Sequence, residues 1–231
     1  MRLKMSGERK ETMQTRGLIL SAVALIVLCG PSALAQSQPG TNSTNSGNNP
    51  SATAPAAPAK PGEIQQRKEN QQDRIAQGVQ SGQLTAGETK NLETKEAGLN
   101  KEEHNMRTQD NGHLTGADRA KLNNQQNRLS NQIYQDKHNA AQAHYGNGTI
   151  GQRRQNQQDR IAQGIRSGQL RPGETAKLEN QQQGINRTVS GMRQANGGKL
   201  TQADKAAVNQ QQNKASQNIY NKKHNAARAP R

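Results

Sequence analysis

The sequence predicts an all-α protein made of two tandem three-helix units, and three observations carry that expectation. One stretch is written twice: NQQDRIAQGVQSGQLTAGET at 70–89 returns as NQQDRIAQGIRSGQLRPGET at 156–175. The register then holds, 86 residues apart, as far as the second YxxKHNAA at 220–227. More than half of the aligned positions are identical, which marks an internal duplication. From about residue 64 onward Gln, Lys, Glu, Arg and Ala dominate and β-branched residues are few, which favours helix over strand. Finally, apolar residues recur at four- and seven-residue spacings that keep one seam on one face of a helix.

The chain opens with the pattern of an export signal. Arg2, Lys4, Arg9, Lys10 and Arg16 form a basic region, 17–28 is apolar, and Ala33-Leu34-Ala35 is a small-x-small cleavage site before Gln36. About a dozen apolar residues are too few to span a bilayer, which needs roughly 20. Residues 1–35 are therefore expected to be removed from a periplasmic or secreted protein that does not span the membrane. Cys29, the single cysteine, leaves with them, so no disulfide is expected. Leu28 stands where lipidation of Cys29 would want a small residue. The segment 36–62 is rich in Ser, Asn, Pro and Ala with no large apolar residue, and reads as a disordered linker.

Repeat 1 is placed at 63–145, with helices over 64–80, 86–108 and 116–140. Its seam is Ile75 and Val79, then Leu92, Leu99 and Met106, then Leu122, Leu129 and Ile133. A Gly-rich joint follows at 146–155. Repeat 2, at 156–231, answers with Ile161 and Ile165; Leu178, Ile185 and Met192; Val208, Ala215 and Ile219. Glycines suited to left-handed helix ends stand at Gly82, Gly112, Gly168 and Gly198. Thr85 with Glu88, Thr115 with Asp118 and Thr201 with Asp204 have capping-box spacing, the aspartates being the shorter and poorer partners. In the remaining turn Arg171 replaces the threonine, and Pro172 and Glu174 mark the start of the helix. Gly98 and Gly184 sit mid-helix and suggest a bend or a close helix crossing. The apolar content of one repeat is too small to offset the entropy of ordering it, so the repeats are expected to pack on each other or to self-associate.

The recurrent G-x-L-T-x-x-E/D turn resembles the second half of an EF-hand calcium loop. With Gly112 at the loop's sixth position, the resemblance implies ligands at Gln109, Asn111 and Asp118, but its first position is Arg107. With Gly82 there, positions one and three are Gln77 and Val79. The second repeat offers Gln163 with Ile165 and Arg193 with Ala195. No turn has the leading Asp, so helix capping is the expected role and no metal or cofactor is expected.

Tyr134 and His138, like Tyr220 and His224, are four apart. A metal reading would add His144, which has no counterpart after His224. Lys137, His138, Lys223 and His224 read instead as last-turn cations that favour a helix C-terminus. No catalytic motif is present, and Glu93, Glu96, Glu102 and Glu103 read as a solvated helix face. An enzyme acting on a small-molecule substrate is not expected.

Charge separates the repeats. The whole chain has 32 Lys and Arg against 17 Asp and Glu. Residues 64–145 hold 11 basic and 10 acidic residues, whereas 150–231 hold 15 and 4. The sequence thus reads as an exported, non-enzymatic structural or interaction module. The alternative is electrostatic binding of acidic envelope polymers or nucleic acid through Arg153, Arg154, Arg160, Arg166, Lys222, Lys223 and Arg228. Only three tyrosines and no Phe or Trp are available for base stacking, so such binding would be poorly specific. A degenerate calcium module is the third reading.

Overall fold

A computed structural model describes residues 62–229. The expected signal at 1–35 and nearly all of the expected linker at 36–62 lie outside the described residues, as do Pro230 and Arg231. Among the described residues there are six helices and no strand: α1 Glu63–Ser81, α2 Ala86–Gln109, α3 Gly116–His138, α4 Thr149–Arg166, α5 Pro172–Ala195 and α6 Gln202–Lys223. None is long and apolar enough to cross a membrane.

Hydrogen bonds fix the directions of the helices. Lys68 meets Glu103 and Gln72 meets Glu93, so α1 and α2 run antiparallel. Gln125 meets Glu102 while Lys95 meets Gln132, which makes α2 and α3 antiparallel. The amide of Gln71 on α1 donates to Gln126 O (2.7 Å) and to Ser130 Oγ (2.8 Å), stapling α1 to α3. Gln157 makes the same two bonds to Gln212 O and Ser216 Oγ, at the same distances, between α4 and α6. Buried amides thus supply the adhesion that a short list of apolar residues leaves wanting; a buried polar group is tolerated when it is bonded.

The halves meet through α1 against α4 and α2 against α5. This packing is reciprocal. A methyl group built on Gly87 would touch Gln183, and one on Gly173 would touch Ala97, which are the same pair of positions exchanged between halves. Midway between these contacts lie Leu92 and Glu93 on α2 and Leu178 and Glu179 on α5, all fully buried or nearly so. One apolar cluster runs through both halves, from Ile64, Leu92 and Ile133 to Ile161, Leu178 and Ile219. A smaller one, with Ile185, Val189, Val208 and Ala215, belongs to the second half alone.

Two expectations are corrected. The joint at 146–155 is helical from Thr149 onward, so the second half begins before residue 156. Gly151 does not break this helix. It sits where a Cβ would collide with the carbonyls of Tyr145 and Gly146, and Gln212 Nε2 donates to Ile150 O (2.9 Å). Gly98 and Gly184 mark no close crossing, since nothing lies within 4 Å of a Cβ placed on either. The close approaches are at Gly78 and Gly164, where the side chains of Leu84 and Leu170 fold back to 2.6 Å from a hypothetical Cβ.

Candidate functional site

The turns between helices are built by glycine conformation and reciprocal caps. Gly82, Gly112, Gly168 and Gly198 all have positive φ, between 67° and 88°, a region that costs glycine nothing. Glu88 N donates to Thr85 Oγ1 (3.3 Å), and Thr85 N returns a bond to Glu88 Oε2 (2.9 Å). The aspartates close their boxes as fully as the glutamate, contrary to expectation. Thr115 N reaches Asp118 Oδ2 at 3.0 Å and Thr201 N reaches Asp204 Oδ2 at 2.9 Å. These bonds, led by those from Thr115 and Thr201, hold both aspartates below the ordinary carboxylate range. At the fourth turn Arg171 N donates to Glu174 Oε2 (3.2 Å), while the Arg171 side chain turns to Arg228 O (2.8 Å).

The second oxygens of the glutamates are also committed. Asn139 Nδ2 donates to Glu88 Oε1 at 2.6 Å and Asn225 Nδ2 to Glu174 Oε1 at 2.7 Å. The twice-written KHNAA thereby ties the chain after α3 and after α6 to a helix start, a role that sequence reasoning missed. His138 and His224 each set Nδ1 2.7 Å from the carbonyl of the tyrosine four residues back, Tyr134 and Tyr220, and each ring stacks on that same tyrosine at 4.1 Å. Among the described residues no three His, Cys, Asp or Glu groups are placed to hold a metal ion.

The seven cations singled out from the sequence do not form one surface. Arg154 is buried with its guanidinium 5.5 Å from the centre of the Tyr145 ring. Lys223 is buried and donates to Gln163 Oε1 (2.9 Å). Arg160 binds Ser216 Oγ (3.0 Å), Arg166 binds Gln80 Oε1 (2.9 Å) and Arg228 binds Lys223 O (3.2 Å). Arg153 and Lys222 are half-buried. Arg153 and Arg166 lie near opposite ends of α4, about 20 Å apart at 1.5 Å per residue.

A more coherent basic group stands beside the start of α4. Arg193, Lys199 and Lys205 are exposed and line a cleft of about 510 Å³ with Gly148, Thr149 and Ile150 at the start of α4, a helix with no side-chain cap. In the first half the equivalent Arg107 is bound to Glu103 (2.8 Å), and Lys68 binds the same carboxylate from α1 (2.8 Å). The position of Glu103 is taken by Val189 in the second half. With valine there, Arg193 lacks that carboxylate, and Arg154, the counterpart of Lys68, lies over the Tyr145 ring. This was legible as a single Glu-to-Val difference between the repeats, but its meaning depends on knowing that Lys68 and Arg107 share Glu103.

The carboxylates expected on a solvated face are the largest correction. Glu93 and Glu179 are 0% exposed and Glu96 is 1% exposed, because α2 and α5 cover each other as well as their own neighbours. Glu102 alone stays near the surface, paired with Lys121 at 2.6 Å. Gln72 donates to Glu93 (3.3 Å) and Gln158 to Glu179 (2.9 Å), leaving one oxygen of each acid without a partner. Burial pushes the Glu93 carboxyl well above its usual range, with Glu96 and, less strongly, Glu179 adding repulsion. Burial raises Glu179 to about 8, and it raises Glu96 to about 7 against the pull of Lys68. Glu103 differs in outcome: burial raises it, but the bonds from Lys68 and Arg107 prevail and hold it low. Burial between the halves therefore favours the protonated form of Glu93, Glu96 and Glu179. No family model, no curated protein and no solved structure matches this chain.

Proposed function

We propose that this chain is an exported, non-enzymatic interaction module in which two copies of a three-helix unit close on each other into one scaffold. The reading rests on the reciprocal packing of α2 against α5, with Gly87 facing Gln183 and Gly173 facing Ala97. Such packing makes a rigid body whose buried face is shared and whose outer faces can differ. The export assignment rests on the basic and apolar pattern of residues 1–35. Expression of the full chain with fractionation and N-terminal sequencing tests it. A mature protein starting at Gln36 outside the cytoplasm is the expected result, and a soluble cytoplasmic protein retaining residues 17–35 is the contrary one.

A second reading concerns what the module binds, and one observation favours it. Arg193, Lys199 and Lys205 gather beside the uncapped start of α4, where helix dipole and side-chain charge have the same sign. Acidic envelope polymers or nucleic acid are the partners that such a group attracts, through release of counterions and with little sequence preference. The intact protein should be retained on heparin at low salt and elute as salt rises. Changing Arg193, Lys199 and Lys205 to Gln together should move elution to lower salt without loss of helicity. Changing Arg160 and Arg166, which are already bonded to neighbours, should move it less. Unchanged elution of the triple variant, or retention indifferent to salt, removes this reading and leaves the scaffold alone.

A further inference from the structure

We propose that Glu96 is a proton-operated latch between α1 and α2. Protonated, it donates to Gln71 Oε1; ionised, it surrenders that bond and loosens α1 from the bundle. The two halves supply the argument. In the second half Gln182 Nε2 donates to Gln157 Oε1 at 3.1 Å. Gln71 is the counterpart of Gln157 and is held by the same two bonds to α3 that Gln157 makes to α6, so its Oε1 is presented in the same way. Glu96 is the counterpart of Gln182. Gln71 Oε1 and both oxygens of Glu96 are buried, and none has a partner. A carboxylate only accepts, as does an amide oxygen, and neither can satisfy the other. One proton on Glu96 supplies the missing donor and makes the side chain an analogue of Gln182.

The charges around Glu96 set the ease of the exchange. From α1, Lys68 is drawn to Glu103 at 2.8 Å, and Glu69 and Asp73 line the same 220 Å³ cavity as Glu96. From α2 itself come Glu93 and Glu103, and from α4 Arg166 lines the cavity. The α5 helix contributes Pro172 to the cavity and turns Glu179 toward Glu93. On α3, Lys121 pairs with Glu102 instead. Burial, the largest influence, holds the Glu96 carboxyl at about 7. A carboxyl raised in the folded state favours the closed latch most below its ordinary value of 4.5, and that advantage is lost as pH rises through about 7.

Hydrogen exchange of the full chain between pH 4 and pH 8.5, corrected for intrinsic rates, tests the latch. Compared with Glu96→Gln, the wild-type opening constant of α1 amides should be similar at pH 4 and about three hundredfold larger at pH 8.5, since one proton contributes about tenfold per pH unit across the range from 4.5 to about 7. Gln182→Glu should install a second response of the same sign in α4. A wild-type to Glu96→Gln ratio that does not change with pH overturns the proposal. So does a Glu96 carboxyl that titrates below pH 5 by ¹³C NMR, a measurement on the wild-type chain that stands even if a variant does not fold.

Discussion

Replacing Glu179 by Gln should make the protein markedly more stable in alkaline solution and barely change it in acid. Glu179 is fully buried at the centre of the α2–α5 packing, accepts one bond from Gln158 at 2.9 Å, and leaves its other oxygen without a partner. Its carboxyl is raised from 4.5 to about 8. In the folded state the proton is held through a range in which the unfolded chain has released it, so stability falls as pH rises from 4.5 and levels off above about 8. At 1.36 kcal/mol per unit, the loss is on the order of 5 kcal/mol. An amide keeps the acceptor that Gln158 uses and carries no charge to expel, so the variant escapes the loss. Urea unfolding followed by circular dichroism at pH 4.5 and pH 9 measures both ends of the range. The two proteins should agree within about 1 kcal/mol in acid and separate by several kcal/mol in alkali, equivalent to about 10 °C in melting temperature for a chain of this size. A difference that is constant with pH, or a wild type that outlasts the variant at pH 9, would refute the buried-acid account.

Other outcomes follow from the same packing. Gly98→Ala should stabilise by about 0.5–1 kcal/mol, because the residue is helical and exposed and its Cβ would meet nothing. Gly78→Ala should instead destabilise by roughly 1–3 kcal/mol, since the added methyl lands on buried Leu84; a neutral result would mean the turn readily shifts. Leu122→Ala, at 2% exposure, should lower unfolding free energy by about 2–5 kcal/mol, and a loss near zero would remove the seam from the core. Millimolar calcium should leave helicity and melting temperature unchanged, because the carboxylates of the turns already bind backbone amides. A rise of several degrees with calcium and none with magnesium would argue the reverse.

The helices were legible because their signals are local. Seven-residue spacing, Thr with an acid three positions on, and glycine at each turn located α1 to α3 within two residues of their observed ends. What could not be read was whatever depends on a second surface. A helix with charged residues opposite its apolar seam looks half-solvated when considered as one of three. The second half covers both Glu93 and Glu96, with Glu179 of α5 beside Glu93 and Ile165 and Arg166 of α4 lining the cavity of Glu96. The same blindness assigned Arg154 and Lys223 to the surface, although Tyr145 and Gln163 receive them. Gly151, within the expected joint, was ambiguous for a related reason: glycine marks both a broken helix and a tight contact, and sequence does not separate them.

The reciprocity of α2 and α5 has a consequence for how such a chain diverges. A single unit that paired with its own duplicate would have to carry identical residues on both sides of the axis. Each carboxyl at position 96 would then be matched by another, as Glu93 is still matched here by Glu179. Covalent linkage lifts that symmetry requirement. One side of the axis keeps Glu96 while the other has Gln182; one side keeps the Lys68–Glu103–Arg107 cluster while the other sets Arg154 against Tyr145 beside Val189. Joined in one chain, the two partners can differentiate without losing their fit. The differences stand at equivalent seats: one half has the Lys68–Glu103–Arg107 ion pairs where the other has neutral contacts and exposed cations.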